Sequence, residues 1–463
     1  MNLIKKITIL FLFSSCSFLL TTVAIDNLPV MNNSQPKVVF AADEDEDFGD
    51  NDEKATEWAD RETENWQRTP TEKDALQDYV SNKNDLATNM ESYTLTPIEM
   101  FEDKSPEAAE KYRQLENAFK KAKLSSGLYC YKDFKASDIG LVGNLDNENF
   151  QSQFGGKNIK LTNYYDANLT NNDINKDSNL IFRLKIPSNR GGGFTPQAGL
   201  ERDQNGRFHV LVNNNYNIHI DNSRTEIIKG RRVIFANCTL ADNLDFKNDL
   251  KSAEKWGLDN YQGNVNSADP YKEWAPIIKP GGKYNETQLN AEEEKSLNDY
   301  LNNGYKTING YLRDGNHTEN ESLNQTIDNL SKGLATRPIP DNITLYRWMG
   351  FKDLGYSSMP SVNELKNDLL ADNKVITDPG FLSTSAFSGS ANFSSARSIV
   401  LRINVPRGTK GGFPYGGDNS ALSINGGEGE VLLDKGQKYQ AYRITESVVR
   451  GKKKIVIDAN LVN

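Results

Sequence analysis

The chain has 463 residues, of which 37% are hydrophobic and 25% are charged, so it can form two or three domains with substantial cores. After the N-terminal residues, no apolar run approaches the roughly 18 residues that span a bilayer, which excludes an integral membrane protein. The formal net charge is −9, and no basic stripe occurs that would suit a nucleic acid. We therefore expect a globular protein with no nucleic-acid partner and no stable membrane insertion.

The first residues are typical of an export signal. Lys5 and Lys6 precede an apolar run at residues 7–20, which is too short to cross a bilayer. Small residues at 22–24 and at 40–42 provide two possible cleavage sites. We predict that residues 1–42 are a signal peptide and leader, and that the protein is secreted.

Cysteines and histidines are too few for a disulfide framework or a closed zinc site. After the leader the chain holds Cys130 and Cys238, together with His209, His219 and His317. No phosphate-binding glycine loop of the GxxxxGK(S/T) type occurs either. We expect two free thiols and no metal.

An internal duplication organises the chain. Residues 179–194 (NLIFRLKIPSNRGGGF) match residues 398–413 (SIVLRINVPRGTKGGF) at an offset of 219, and the run from Ile227 matches the run from Val448 at an offset of 221. Three shorter matches follow the same order. A period this long indicates two copies of a domain, because solenoid repeats span only about 20–50 residues.

Each copy begins with helical sequence and ends with short runs rich in Val, Ile and Leu, without βαβ alternation. This order predicts an α+β fold of two tandem duplicated domains. In each domain we expect helices at the N-terminal side packed on a mainly antiparallel, β-sandwich-like core. We place the domains at residues 43–245 and 246–463.

The apolar framework agrees between the copies, whereas several polar positions differ. This divergence predicts that one copy holds a working site and the other is degenerate. In our alignment the first copy has Cys130, Arg207, His209 and Asn84 where the second has Arg347, Glu428, Glu430 and Tyr305.

The second copy carries three groups in order: Arg347, then Ser383-Thr384-Ser385, then Glu428-Gly429-Glu430. Each lies at the end of a strand-like run, so their side chains can converge on one cleft. In this order and setting they resemble the arginine-specific mono-ADP-ribosyltransferase toxins. The duplicated layout and export signal resemble the enzymatic components of binary toxins, such as the vegetative insecticidal and iota-type toxins.

This resemblance implies an ADP-ribosyltransferase fold and a function. The second domain would transfer ADP-ribose from NAD, used as a substrate, to an arginine of a host protein, most often actin. The first domain would dock onto a separate pore-forming component, and the enzyme would act in the host cytosol.

The resemblance also implies roles for individual residues. Glu430 would stabilise the oxocarbenium-like ribose, and Ser383 would fix the rotamer of the Glu430 carboxylate. Arg347 would bind the diphosphate of NAD, and Glu428 would assist the acceptor guanidinium. Further positions that match the family's dinucleotide site are Tyr305, Arg402 and Thr384. A structural role is the alternative for Arg402, because its counterpart Arg183 persists in the degenerate copy.

Two departures weaken the assignment of actin. Trp348 stands where relatives often have a second arginine, and the turn before Glu428 lacks an aromatic residue. An NAD glycohydrolase toxin is one alternative function, since hydrolysis needs no target protein. A non-catalytic binding module is the other.

The acidic segment at residues 43–64 holds twelve acidic and two basic side chains. Blocks of like charge are usually solvated, so one interpretation is a disordered solubilising tail. The other follows from the resemblance: a flexible leading segment that a cation-lined pore entrance captures.

Overall fold

In the computed structural model, the described residues are 45–462 except 97, 173, 176, 189–195, 204–206, 262–288, 316–317, 337, 390 and 414–428. The predicted signal peptide and leader, residues 1–42, lie outside them. None of the helices in the described ranges is long and apolar enough to span a bilayer.

The first domain begins with helices, as the sequence predicts. Asn51 caps the first of them, and Thr69 and Glu72 form a reciprocal capping box at the start of the second. The helices are α1 (Asp52–Asn65), α2 (Pro70–Val80), α3 (Met90–Leu95), α4 (Ile98–Lys104), α5 (Pro106–Lys121) and α6 (Asn147–Phe154).

The strands of this domain form one mixed sheet. They are β1 (Leu128–Phe134), β2 (Asn158–Lys160), β3 (Tyr165–Asn168), β4 (Leu180–Ile186), β5 (Ala198–Arg202), β6 (Phe208–Val212), β7 (Asn217–Ile228) and β8 (Arg231–Ala241). Their order is β2-β7-β8-β4-β1-β3-β6-β5. Within the described residues, β4 and β8 pair in parallel and the other neighbours pair antiparallel.

The second domain repeats this plan. Its helices are α7 (Leu250–Tyr261), α8 (Ala291–Asp299), α9 (Tyr305–Arg313), α10 (Glu321–Thr336), α11 (Val362–Leu365) and α12 (Ala391–Ala396), with a π turn at Tyr300–Gly304. Its strands are β9 (Ile343–Met349), β10 (Val375–Thr377), β11 (Phe381–Ser385), β12 (Ile399–Val405), β13 (Gly411–Gly412), β14 (Glu430–Lys435), β15 (Lys438–Val449) and β16 (Lys452–Val462).

The order of the second sheet, β10-β15-β16-β12-β9-β11-β14-β13, matches the first strand for strand. Here too the pair that corresponds to β4 and β8, namely β12 and β16, is parallel. The prediction of two duplicated α+β domains is therefore confirmed. Each domain buries its own apolar cluster against one face of its sheet.

The acidic segment is part of the fold from residue 45 onward, so the disordered-tail interpretation is wrong for these residues. Glu46 makes a parallel β-bridge with Leu128, and α1 buries Trp58 and Ala59 in the core of the first domain. Several acids of the segment bond to distant residues of the first domain, as Asp47 does to Arg183, while the apolar residues of α1 pack inward at helical spacing. Asp43 and Glu44 lie outside the described residues.

The bridge of Glu46 to Leu128 has a counterpart in the second domain, where Leu244 makes the same parallel bridge to Ile343. The segment EDFGDN at residues 46–51 thus corresponds to LDFKND at residues 244–249. The duplication therefore reaches into the acidic segment, which is the first domain's copy of the connection between the domains.

The two domains share a buried polar interface. Lys160 of the first domain lies 3.1 Å from Asp245, and Asp245 also accepts a hydrogen bond of 2.6 Å from the Tyr346 hydroxyl. Burial lowers the pKa of Lys160 to about 8, although Asp245 partly offsets this. Nearby, the buried Asn248 donates to the carbonyls of Tyr93 and Thr96. Buried charges and amides with specific partners fix one relative orientation, because any other arrangement would leave them unpaired.

Candidate active site

A cleft of about 420 Å³ opens in the second domain beside the ends of β9, β11 and β14. It brings together four residues of the sequence prediction: Arg347, Ser383, Thr384 and Glu430. The strand order explains this, because β9, β11 and β14 are consecutive neighbours in the sheet. Tyr305 lines the same cleft from the start of α9.

Ser383 links the arginine to the carboxylate. Its hydroxyl lies 2.6 Å from Oε1 of Glu430, and its backbone carbonyl accepts a hydrogen bond of 2.7 Å from Nη1 of Arg347. The register of β11 against β14 places Ser385 directly opposite Glu430, so Ser383 reaches Glu430 diagonally along the same face. The hydrogen bond restricts the rotamers of the glutamate side chain.

Thr384 points away from this pair. It is buried, and its hydroxyl donates a hydrogen bond of 2.6 Å to the carbonyl of Val431. Alternate residues of a strand face opposite sides of the sheet, so Thr384 cannot share the orientation of Ser383. Its hydroxyl ties β11 to β14.

The turn before Glu430 is held in a left-handed conformation. Gly429 has φ of +50°, and its carbonyl accepts a hydrogen bond of 2.8 Å from the backbone N–H of Ala386. A side chain at this position would be strained by the backbone conformation. Glu428 precedes this glycine and lies outside the described residues.

Two tyrosines and an amide form one wall of the cleft. Asn309 donates a hydrogen bond of 3.0 Å to the Tyr300 hydroxyl and accepts one of 2.8 Å from the backbone N–H of Phe381. Burial, reinforced by the charge of Glu430, raises the pKa of Tyr300. The ring of Tyr305 lies 6.3 Å from that of Tyr300 and is 37% exposed. This wall presents aromatic surface to the cleft while Asn309 anchors it to β11.

The cleft also contains charged residues that our sequence analysis did not find. Arg397 follows α12 and lies 3.2 Å from Asp353, and both side chains line the cleft. Arg313 donates two hydrogen bonds of 2.9 Å to Asp378, which raises the pKa of Arg313. No local motif distinguishes these residues, because they reach the cleft through the fold rather than through spacing.

Arg402 does not line the cleft, so the structure does not support a role for it in binding a dinucleotide. Its side chain is 3% exposed, contacts Asp458 through Nε and lies 3.0 Å from Glu91. Arg402 pairs with Tyr346 across β12 and β9, and cross-strand partners face the same side of a sheet. That side is opposite to Arg347, which follows Tyr346 in the strand. Arg402 is therefore a buried structural cation.

The registers of the two sheets also correct our alignment of the copies. Leu128 pairs with Ile186 as Ile343 pairs with Val405, which makes Cys130 the counterpart of Leu345. The counterpart of Arg347 is thus Lys132, two residues later. Cys130 is fully buried in the apolar core, as expected for a residue that replaces a leucine.

The corresponding place in the first domain has different chemistry. Asn168 pairs with His209 as Ser385 pairs with Glu430, so His209 is the counterpart of Glu430. Its Nδ1 lies 2.7 Å from Asp166, the counterpart of Ser383, and its Nε2 lies 3.6 Å from Asp203. The hydrogen bond with Asp166 raises the pKa of His209. The place of the Glu430 carboxylate is thus taken by an imidazole that is held between two carboxylates, which fits a degenerate copy.

Metal ligands are a separate question. Within the described part of the chain, no group of three or more His, Cys, Asp or Glu side chains is arranged to hold a metal ion. The cleft instead offers one oriented carboxylate, cationic guanidinium groups and an aromatic wall. These groups suit an anionic, aromatic ligand whose reaction develops positive charge.

Comparisons with known proteins agree with this arrangement. Among solved structures, the chain is similar to BECa, an ADP-ribosylating toxin of a binary enterotoxin of C. perfringens, crystallised with NADH. The identity is 25% over 90% of this chain and 98% of that one, with a TM-score of 0.72. The enzymatic component C2-I of the C2 toxin from Clostridium botulinum has the same fold, with 22% identity, coverage of 90% and 99%, and a TM-score of 0.71.

No match is found among curated proteins. The ADP-ribosyltransferase exoenzyme family matches the chain twice, over residues 55–242 and 253–463. These two matches span one copy each of the duplicated fold and together cover most of the chain. The protein therefore belongs to the ADP-ribosyltransferase exoenzyme family, with the two-domain architecture of the enzymatic components of binary toxins.

Proposed function

We propose that the protein is a secreted toxin enzyme that transfers ADP-ribose from NAD to an arginine of a host protein, with actin as the first candidate. The observation that carries this proposal is the hydrogen bond between Ser383 and Glu430, placed beside Arg347 in the cleft of the second domain. The crystallisation of the similar toxin BECa with NADH supports a nicotinamide dinucleotide as the ligand.

Binding of NAD would use the cations and the aromatic wall. Arg347 and Arg397 line the cleft, and a guanidinium suits the diphosphate because its N–H groups form a planar fork. Tyr305 offers an exposed ring face for stacking. NAD carries both the anionic and the aromatic groups that this cleft accommodates.

Cleavage breaks the bond between the ribose and nicotinamide, and its electron pair leaves with nicotinamide. The ribose then carries oxocarbenium-like positive charge, as in glycoside cleavage. Glu430 would stabilise this charge through its carboxylate and by accepting a hydrogen bond from a ribose hydroxyl. Ser383 holds the carboxylate in one orientation, so less reorganisation is needed during the reaction.

Transfer requires a guanidinium nitrogen to attack the cationic carbon. The pKa of a free arginine is above about 12, so the acceptor is a poor nucleophile until it loses a proton. Glu428 lies two residues before Glu430, within about 7 Å of it along the chain. We assign to Glu428 the removal of this proton. In the first domain Lys132, Asp166 and His209 stand in the places of Arg347, Ser383 and Glu430, so we assign no catalytic activity to that domain.

Delivery would depend on a partner. The structural neighbour BECa belongs to a binary enterotoxin, and C2-I is the enzymatic component of the C2 toxin. We infer that a separate pore-forming component binds this enzyme through the first domain and carries it into the host cytosol.

The experiment that tests this function compares transfer with hydrolysis. The chain without its leader is incubated with labelled NAD and purified actin, then with host-cell lysate. Label on actin supports the full proposal. Label on another protein would show that actin is not the target and would leave the proposed transfer intact. Release of nicotinamide without any labelled protein would favour the NAD glycohydrolase alternative, because hydrolysis does not need Glu428.

A further inference from the structure

Lys454, near the start of β16, is a buried lysine beside the active-site cleft. The residue is 5% exposed, and its Nζ donates a hydrogen bond to the backbone carbonyl of Arg397. Burial lowers the pKa of Lys454, and the nearby charges of Lys452 and Arg450 lower it further. Burying a cation costs free energy unless it finds a specific partner, so the partner of Lys454 is the feature that accounts for a lysine at this position.

The side chain of Lys454 contacts the wall of the cleft from outside. Lys454 precedes Val456 by two residues, so both face the side of the sheet on which Val456 packs with Trp348. The Nζ of Lys454 lies 6.0 Å from the centre of the Trp348 ring, and the indole Nε1 donates a hydrogen bond of 2.9 Å to the carbonyl of Ser388. Trp348 and Arg397 both line the cleft, whereas Lys454 does not. Lys454 therefore contacts the residues that form the site and not the space in which a ligand would lie.

Arg397 lies in the short connection between α12 and β12, where its side chain has little other support. Its Nη1 lies 3.2 Å from Asp353, and the two side chains are 44% and 41% exposed. An exposed pair of this kind contributes little, so it neither fixes the guanidinium nor prevents its exchange to a phosphate. The backbone is held more firmly, because Ile455 donates a hydrogen bond of 3.0 Å to the carbonyl of Ser398 and Lys454 adds a bond one residue earlier.

The first domain offers an internal comparison for this arrangement, because the registers of the two sheets identify the corresponding residues. The three counterpart pairs are Lys454 and Val233, Arg397 and Ser178, and Trp348 and Asp133. In the first domain, Asp133 accepts a hydrogen bond from the Ser178 hydroxyl, and the Ser178 carbonyl accepts one of 3.0 Å from Arg231. The buried lysine, the arginine and the indole thus occur together in the copy that also holds Glu430 and Ser383, and a valine, a serine and an aspartate replace them in the degenerate copy.

We propose that Lys454 is a positioning residue for the reaction, which fixes the backbone of Arg397 and so holds its guanidinium at the edge of the cleft for the diphosphate of NAD. The inference rests on the proposed function, in which Arg397 binds that diphosphate. A side chain that is already held loses less conformational entropy when the ligand binds. Lys454 thus acts on the binding of NAD through Arg397, and it does not act on cleavage of the bond to nicotinamide.

The test measures NAD hydrolysis, as nicotinamide release, by the full chain without its leader. Lys454→Met removes the ammonium group and keeps the apolar stem, and Lys454→Val introduces the residue of the first domain. We expect KM for NAD to rise about 2- to 10-fold in both variants, because one polar side chain must then be ordered on binding, while kcat stays within about twofold of the parent.

Lys157→Met is the matched control. Lys157 donates a hydrogen bond of 2.8 Å to the carbonyl of Gln153, and burial lowers its pKa as it lowers that of Lys454. It lies in the first domain, to which we assign no catalytic activity. The control should therefore keep the parent KM and kcat, even if its thermal unfolding midpoint falls.

A double-mutant cycle with Arg397→Ala separates positioning from a general effect on the fold. If Lys454 acts through Arg397, the variant that carries both Lys454→Met and Arg397→Ala should have the KM of Arg397→Ala alone, because no guanidinium is left to position. Independent effects would instead multiply, and a double variant whose KM shows this product would overturn the inference. Thermal unfolding of the parent and the three variants records any loss of stability separately.

The outcomes distinguish the inference from the proposed function. A raised KM in Arg397→Ala together with the parent KM in both Lys454 variants would overturn the inference and leave the proposed function intact. The parent KM in Arg397→Ala would show that this arginine does not bind NAD, which would overturn the inference and that single assignment. Absence of NAD turnover by the parent and of any labelled protein would overturn the proposed function and the inference with it.

Discussion

Replacing Ser383 with alanine tests whether orientation of the carboxylate matters for catalysis. The substitution removes the hydroxyl that lies 2.6 Å from Oε1 of Glu430. It leaves the contact of Arg347 intact, because Arg347 bonds to the backbone carbonyl of Ser383. Catalysis should therefore suffer more than binding of NAD.

The expected loss follows from the strength of the hydrogen bond. A hydrogen bond to an ionised group contributes about 1.5–3 kcal/mol, and each 1.4 kcal/mol is about a tenfold change in rate. If the bond is fully used in the transition state, kcat for NAD hydrolysis should fall about 10- to 150-fold in Ser383→Ala. KM for NAD should stay within about twofold of the parent, since the lost interaction acts on the transition state.

Ser331→Ala is the matched control. The Ser331 hydroxyl makes a hydrogen bond of the same 2.6 Å length to a carboxylate, that of Asp434, in the same domain but outside the residues that line the cleft. Its loss should change stability slightly and kcat very little. A Ser383→Ala variant with the parent kcat, or one with only KM raised, would refute the orienting role.

Four further predictions concern other parts of the molecule. Glu430→Gln should abolish both hydrolysis, measured as nicotinamide release, and transfer, measured as protein labelling, whereas Glu428→Gln should lose transfer and keep measurable hydrolysis. Equal loss of both activities in the two variants would contradict this division of roles. Residues 43–245 expressed alone should show no NAD turnover if circular dichroism shows them folded, because Lys132 and His209 replace Arg347 and Glu430; detectable turnover would refute the degenerate copy. Cys130 and Cys238, both buried and free, should resist a thiol reagent in the native chain and titrate as two thiols in denaturant without reductant; finding fewer would indicate a disulfide. Burial would raise the pKa of Asp458, but Arg402 and Arg443 lower it below its usual value, so the carboxylate's contribution to stability is complete above about pH 4 and is lost as the pH falls further. In urea unfolding, the free energy of Asp458→Asn should therefore depend less on acid pH than that of the parent, and an unchanged pH profile would count against the pairing.

The sequence predicted the fold well because the duplication is visible in apolar framework residues. Matching strands such as Ile399–Val405 and Leu180–Ile186 retain their pattern because each must fill the same core position. Repeated packing constraints leave a clear sequence signal. Matching the polar positions of the two copies requires the strand registers. A gapless alignment does not contain them, and it therefore paired Cys130 instead of Lys132 with Arg347.

Arg402 shows what alternation along a strand could have revealed. Ile399, Leu401 and Ile403 are the apolar core residues of β12, so Arg402 between them must face the other side of the sheet. That argument requires the position of the cleft relative to the core, which the sequence alone does not supply. Arg397 lacks even this signal, because it lies outside the strand.

The acidic segment misled the charge argument for a physical reason. Net charge describes the exposed face of α1, whereas Phe48 and Trp58 determine whether the segment packs, and their rings lie 5.5 Å apart in the core. The partial match of residues 46–51 to residues 244–249 was the signal that could have corrected it.

The central claim is that the cleft around Glu430 transfers ADP-ribose to an arginine of a protein. The most direct measurement is incubation of the chain without its leader with NAD and purified actin, followed by mass spectrometry of the modified peptides. Our account predicts ADP-ribose on an arginine with the parent chain and no modification with Glu430→Gln. Modification that persists in Glu430→Gln, or that lies on a residue other than arginine, would contradict it.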